Sequence, residues 1–420
     1  MNYKRTELDG NVGFTSVVDS KFNTCSLRIT MIVPMNCVTA SEYSVAVNIL
    51  SDVNSKFNTI AAMNEKLSEL YGAAIGSSVT QKGDLQLLSL NSSWLSNKYA
   101  IDGEDITAEM LQIVSDCLFA PLANESGFNE EIFKLSQKEI LDIIDSSFNN
   151  KREFTLMKAR EIAFEGEPAR FGDNGKRENV ESVTGKSAYA AYKKLLETAQ
   201  IEIFFISPEE DSRVQKLFSD KFSSLNRTAA ENNFFAPSPL KKQPLLVTEE
   251  YEVNQAKIAI NFKYDTKDID AVHLMCVIFG GTPVSKLFMN VREKLSLCYY
   301  CACRLSELKN TITVDCGVEK ANIQAATDEI MAQLEEIRKG NISDEELNSA
   351  LLALENSYTA YGDTPGSYIS WLFDCFVKKE YITPQEYFQR ILSVTRERII
   401  AAAENIQLDS TYHMLNKEAE

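Results

Sequence analysis

Apolar and polar residues alternate over "CSLRITMIV" (Cys25–Val33), which predicts a strand, and the stretch that follows, "SEYSVAVNILSDVNSKF" (Ser41–Phe57), reads as a helix. The same order recurs later, where "AKIAINFKY" (Ala256–Tyr264) precedes the apolar helix "IDAVHLMCVIFGG" (Ile269–Gly281). Two further segments, "EKLSELYGA" from Glu65 and "EKLSLCYYC" from Glu293, align at an offset of 228 residues. Each leads into a strand, a polar turn ("QKGD" or "ELKN") and a second alternating strand. The pattern is an internal duplication of a strand, helix, helix, hairpin unit.

Each half then turns helical. "MLQIVSDCLFAPL" and "NEEIFKLSQKEILDIIDSSF" space apolar residues by three and four, and "ETAQIEIFFIS" supplies a further strand. In the second half "NIQAATDEIMAQLEEIRKG" carries Gly340 just past a helix end, and Ser343 with Glu346 forms a capping box before "LNSALLALENSYTAY". Antiparallel-rich sheets with helices packed on one face predict an α+β architecture built twice. Between the halves, "NRTAAENNFFAPSPLKKQPLL" (Asn226–Leu246) loses its periodicity and reads as a linker. The predicted domains are therefore 1–225 and 247–420, joined by 226–246.

Composition narrows the function classes. A hydrophobic fraction of 44% over 420 residues needs no disulfide or metal to fold. No apolar run reaches the roughly 18 residues of a membrane span, and "MNYKRTELDGNVGF" lacks the build of a secretory signal, so the expected location is the cytoplasm. Nine cysteines are then free thiols. A net charge of −17 argues against nucleic acid and anionic membrane surfaces as partners.

Catalytic groups are scarce. The chain has two histidines, His273 and His413, and no His-x-x-x-His pair. His273 and Cys276 share one face of an apolar helix, an arrangement that reads as core before it reads as a nucleophile pair. Cys298, Cys301 and Cys303 fall on one predicted strand and Cys316 on its partner; regular alternation sends Cys298 to the face opposite Cys301 and Cys303, which argues against a four-thiolate zinc site. Phosphate-loop, Gly-x-Ser-x-Gly and dinucleotide motifs are absent.

The segment "FGGTPVSKLFMNVREKLSLCYY" (Phe279–Tyr300) resembles the second-domain signature of insulinase/pitrilysin-type zinc metallopeptidases. In that signature a Gly-Gly turn leads into a helix bearing Ser, Leu and Arg-Glu-Lys, and a Tyr follows the Arg by seven; here these are Gly280, Gly281, Ser285, Leu287, Arg292, Glu293, Lys294 and Tyr299. The likeness continues through "FEGEPARFGDNGKRENVESVTGKSAYAAYKKLL" and "YGDTPGSYISWLFDCFVKKEYITPQEYFQRILSVTRERI" and so covers nearly the whole chain, looking most like bacterial two-subunit members.

The resemblance implies a first-half helix that in active members carries His-x-x-Glu-His. On that alignment Asn48 and Asp52 stand where the histidines would be, Ser51 stands where the Glu would be, and Glu139 or Asp142 lies near the third ligand. An amide, a hydroxyl and a carboxylate do not replace two imidazoles and a base, so no zinc and no cofactor are expected. What the resemblance carries over is Arg292 and Tyr299, which in the family hold substrate backbone and stabilise the oxyanion, with Gly280 and Gly281 beside them. Alone, Arg292 reads as a helix-face ion pair and Tyr299 as strand packing; the surrounding match favours the functional reading. It implies a subunit, inactive alone, that completes a peptide chamber with a zinc-bearing insulinase-type partner in a heterodimer, or that forms a homodimer when isolated. The alternatives are a peptide-binding or scaffold protein of the same fold with no role in proteolysis, and an independent hydrolase built on Cys276 and His273 or on a rebuilt metal site.

Overall fold

The computed structural model describes residues 3–229 and 231–417, and the chain resolves into two compact units. The first unit is built on a six-stranded sheet. Its strands are β1 (Tyr3–Leu8), β2 (Val12–Val18), β3 (Thr24–Pro34), β4 (Ala74–Lys82) and β5 (Leu85–Leu95) and, beyond a two-residue ladder of β6 (Ala123–Asn124) with β7 (Gly127–Phe128), β8 (Gln200–Ser207). Their order is β1-β2-β8-β3-β5-β4, antiparallel except for the β2/β8 pair.

In β8 every residue is buried, and its sequence QIEIFFIS is mostly apolar; the buried Glu202 within it accepts from Arg5 Nη2 at 2.7 Å. Ile201, Ile203 and Phe205 join the main core, together with Val45, Ile49 and Leu50 of the Cys37–Asp52 helix. Phe204 points the other way, 6.2 Å from the ring of Phe373 in the Pro365–Lys378 helix.

The second unit carries a five-stranded sheet of β9 (Leu245–Tyr251), β10 (Ala256–Tyr264), β11 (Cys298–Ser306), β12 (Thr311–Val318) and β13 (Ile406–Asn416). Its order is β11-β12-β10-β13-β9, and only β9/β13 is parallel. The Lys151–Ala163 helix lies on this sheet, packing Ala159 against Ala259, Tyr412 and Met414. Polar bonds reinforce the contact: Asn261 Nδ2 donates to the Ala159 carbonyl at 3.1 Å and Lys263 Nζ to the Ala163 carbonyl at 3.0 Å, while Arg152 Nη2 donates to Asp315 Oδ1 at 3.0 Å.

The α+β class and its duplication follow the expectation, and so do the hairpins at 81–84 and 307–310 and the Ser343/Glu346 capping box. The grouping of residues differs from the linear division into 1–225 and 247–420. Segment Ser147–Arg170 belongs to the second unit, and Gly362–Lys378 belongs to the first. Each sheet thus covers its second face with a helix from the other half of the sequence, which is also why helices lie on more than one face.

Among the described residues of 226–246 none is helical, and the strand residues among them, Leu245 and Leu246, open β9; the segment is nevertheless pinned. Arg227 bonds the carbonyls of Leu196, Ala199 and Gly10, and Asn232 Nδ2 donates to the Ile32 carbonyl at 3.1 Å. Farther on, the Ala236 and Ser238 amides donate to Leu308 and Lys309 at 3.0 and 3.2 Å. Among the described residues no helix is long and apolar enough to cross a membrane.

Candidate functional site

The Ile269–Gly280 helix is apolar almost throughout and is capped at its start by Asp268. It ends at Gly280, with Gly281 as its cap, and at both positions the chain has no room for a side chain. A Cβ on Gly280 would meet Cys303 Cβ at 2.8 Å, and one on Gly281 would meet Val277 Cα at 2.8 Å. The glycines therefore let the turn close onto β11 and onto its own helix. After the turn, Phe288–Lys294 winds as a π-helix, with the Leu295 amide bonded to the Asn290 carbonyl at 3.2 Å. Such wider turns re-aim side chains and recur at functional sites.

Arg292 leaves this turn with 40% of its side chain exposed, its guanidinium 4.4 Å from the Phe288 ring centroid and 3.5 Å from Glu293. Tyr299 is 77% exposed at the start of β11, while its neighbour Tyr300 turns inward beneath the Arg152 guanidinium at 4.4 Å. Exposed Met289 and Leu295 stand between and beside them. Residues 289, 292, 295 and 299 thus present two aliphatic side chains, a guanidinium and a phenol to solvent within one short segment. Met289 and Leu295 were not singled out from sequence, although their three-residue spacing around Arg292 is the signal that could have marked them.

The start of β11 is irregular. Cys298 pairs with Val318 and Cys301 with Cys316, so three steps on β11 match two on β12. This bulge overturns the alternation expected for a regular strand: Cys298 and Cys301 lie on the same face, because Val318 and Cys316 do. Cys303 lies against Cys276 of the Ile269–Gly280 helix. His273 instead faces Tyr358, 3.5 Å from its hydroxyl, so the structure does not bring His273 and Cys276 together as a pair. His413 is on β13, where burial lowers its pKa.

The positions matched to a zinc motif lie on the Cys37–Asp52 helix and are tied to one another by hydrogen bonds. Asn48 Nδ2 donates to Glu139 Oε2 at 2.8 Å and to Ser136 Oγ at 3.2 Å, while Asn48 Oδ1 accepts from Ser77 Oγ at 3.0 Å. Ser51 Oγ donates back to the Asn48 carbonyl at 2.9 Å. Glu139, not the exposed Asp142, is therefore the carboxylate that reaches Asn48. Burial and then the Glu139 charge push the Asp52 carboxyl up to about 6.

This donor set does not fit Zn²⁺. It offers no imidazole or thiolate, and the Asn48 amide directs its hydrogens, not a lone pair, at Glu139. Among the described residues no group of three or more His, Cys, Asp or Glu is arranged to hold a metal ion.

Comparison with known proteins shows what the chain is similar to. Residues 182–354 match the family model described as Peptidase M16 inactive domain. A protein of Bacillus subtilis (strain 168), "Probable inactive metalloprotease YmfF", is 26% identical over 408 residues, spanning 96% of this chain and 95% of its own length. Among solved structures, a conserved protein from Enterococcus faecalis V583 matches with a TM-score of 0.92 at 23% identity, covering 100% of both chains. A peptidase M16 inactive domain from Pseudomonas fluorescens matches with a TM-score of 0.79 at 15% identity, again over 100% of both chains. At these identities the structures establish a shared α+β fold, while the family-model match over residues 182–354 and the Bacillus relative show which proteins the chain resembles.

Proposed function

We propose that this chain is a noncatalytic subunit of a two-chain insulinase-type metallopeptidase, completing a peptide chamber and presenting Arg292 and Tyr299 to substrate held by a zinc-bearing partner. The observation that carries the reading is the exposure of both side chains in a segment whose neighbours Met289 and Leu295 are exposed as well. Side by side in one short segment, an exposed phenol, an exposed guanidinium and two exposed apolar side chains are all accessible to a peptide or a partner. Transition-state stabilisation depends on where a donor sits and not on which polypeptide supplies it, so a chain without its own metal site can still contribute one. "KLSELYGA" followed by a polar hairpin favours the bacterial branch that includes a protein associated with aminopentanol modification of elongation factor P.

The test begins with capture of the partner from native cells and mass measurement of what accompanies the chain; a protein with His-x-x-Glu-His is expected. Peptide cleavage by the reconstituted pair is then compared for wild type, Arg292→Ala and Tyr299→Phe. Loss of a well-placed oxyanion donor costs about 3–4 kcal/mol, so Tyr299→Phe should lower kcat by roughly 10²–10³-fold. Equal rates for all three would remove the assigned role and leave a peptide-binding or scaffold protein. Stoichiometric zinc in the purified chain alone would contradict the assignment outright.

A further inference from the structure

Cys298, Cys301 and Cys316 form a group that the function above leaves unused. The bulge at the start of β11 gathers them on one face of the β11/β12 hairpin. The bulge sets three residues of β11 against two of β12, and it brings the Cys298 and Cys301 thiols into hydrogen-bond contact with each other. Cys301 and Cys316 are buried, whereas Cys298 is half-exposed at the strand's end.

The surroundings of the three thiols differ in the sense that oxidation chemistry requires. The Cys301 thiol lies against both Cys298 and Cys316, and its own ionisation is suppressed by these neighbours and by burial. Cys298 has its pKa lowered, chiefly by the Cys301 thiol and further by the Arg292 charge. Cys37, also half-exposed, has its pKa raised by burial. Exposure, a cation and an adjacent thiol are what distinguish a reactive cysteine from an inert one.

We propose that Cys298 is a peroxide-reactive thiol and Cys301 its built-in resolving partner. The Cys298 thiolate attacks one oxygen of a hydroperoxide; the sulfur–oxygen bond forms as the O–O bond breaks, and the leaving oxygen departs as water or alcohol after taking a proton. The Cys301 sulfur then displaces the hydroxyl of the Cys298 sulfenic acid, giving a disulfide and a second water. Two thiols are oxidised and one hydroperoxide is reduced. Tyr299 and Tyr300 lie inside the ring so closed, which fixes the bulge that carries the exposed phenol. That consequence rests on the proposed function; the oxidation itself does not, and it would stand in a chain that never met a peptidase partner.

The test uses the reduced full-length protein treated with hydrogen peroxide, with per-cysteine rates read by differential alkylation and peptide mass spectrometry. Cys298 should lose its thiol about tenfold faster than Cys37, its half-exposed internal control, and a peptide pair joined through Cys298 and Cys301 should appear. Cys301→Ser should instead accumulate a Cys298 sulfenic acid that a dimedone probe captures, and Cys298→Ser should abolish both products. Because the wild-type rates need no variant, a misfolded substitution cannot rescue the idea. Equal rates for Cys298 and Cys37, or a Cys298 that oxidises without ever joining Cys301, would overturn it.

Discussion

Asp52 accepts from Ser51 Oγ at 3.5 Å, and burial with the like charge of Glu139 lifts its carboxyl from an ordinary 3.8 to about 6. A folded-state pKa raised above the unfolded value means that protonation favours the fold. The contribution is fully present below about pH 4 and is lost as pH rises through about 6. Asp52→Asn removes the charge while keeping the shape. With a discount for partial exposure, the variant should be more stable than wild type above pH 7 by on the order of 1–2 kcal/mol, and the advantage should vanish near pH 4. Urea midpoints measured across that range check both the size and the sign. The same residues show how much of the site could be read in advance. The missing imidazoles were plain in the sequence, because residue type alone decides them. Which of Glu139 and Asp142 faces Asn48 was not, because helix register is set by packing. The shared face of Cys298 and Cys301 was likewise hidden, since a bulge shifts alternation without leaving a glycine or proline to announce it.

Among the elements, those with strong periodicity were legible, and the Lys151–Ala163 helix shows why one was not. Its sequence, KREFTLMKAREIA, has little apolar contrast, because part of what it gives the second sheet is polar. Asn261, Lys263 and Asp315 receive or supply bonds to it, so the usual apolar stripe is replaced by hydrogen bonds. Within the same sheet Lys263 Nζ lies 3.0 Å from Asp409 Oδ1, with side-chain exposures of 4% and 0%. The ammonium also donates to the Pro239 carbonyl at 2.7 Å. Asp409→Ala would strand the buried cation, and removal of one partner from such a pair costs about 3–5 kcal/mol. The expected result is a clear drop in urea midpoint with the far-UV spectrum retained at low denaturant; a change within 0.5 kcal/mol, the scale of an exposed pair, would show that solvent reaches the site.

At the scale of the whole molecule, composition and charge argue only against nucleic acid and anionic membranes as partners, while the duplicated pattern shows two related units. The exchange of helices between the two halves was not written in any local pattern. It makes a specific expectation for fragments: residues 247–420 lack the Ser147–Arg170 segment that belongs to their unit, and residues 1–246 lack Gly362–Lys378. Expressed alone, each should aggregate or show a broad, weakly cooperative melt; co-expressed, the two should purify together and melt sharply. Well-folded, monodisperse single fragments on gel filtration would refute this.

The exchange also bears on ancestry. A half-length protein of this design would leave one sheet face bare unless a sister molecule lent its helix, so the simplest forerunner of the present chain is a swapped pair of identical polypeptides, later fused head to tail. Fusion would have freed each copy to drift, so that matching stretches such as EKLSELYGA and EKLSLCYYC now differ between the halves.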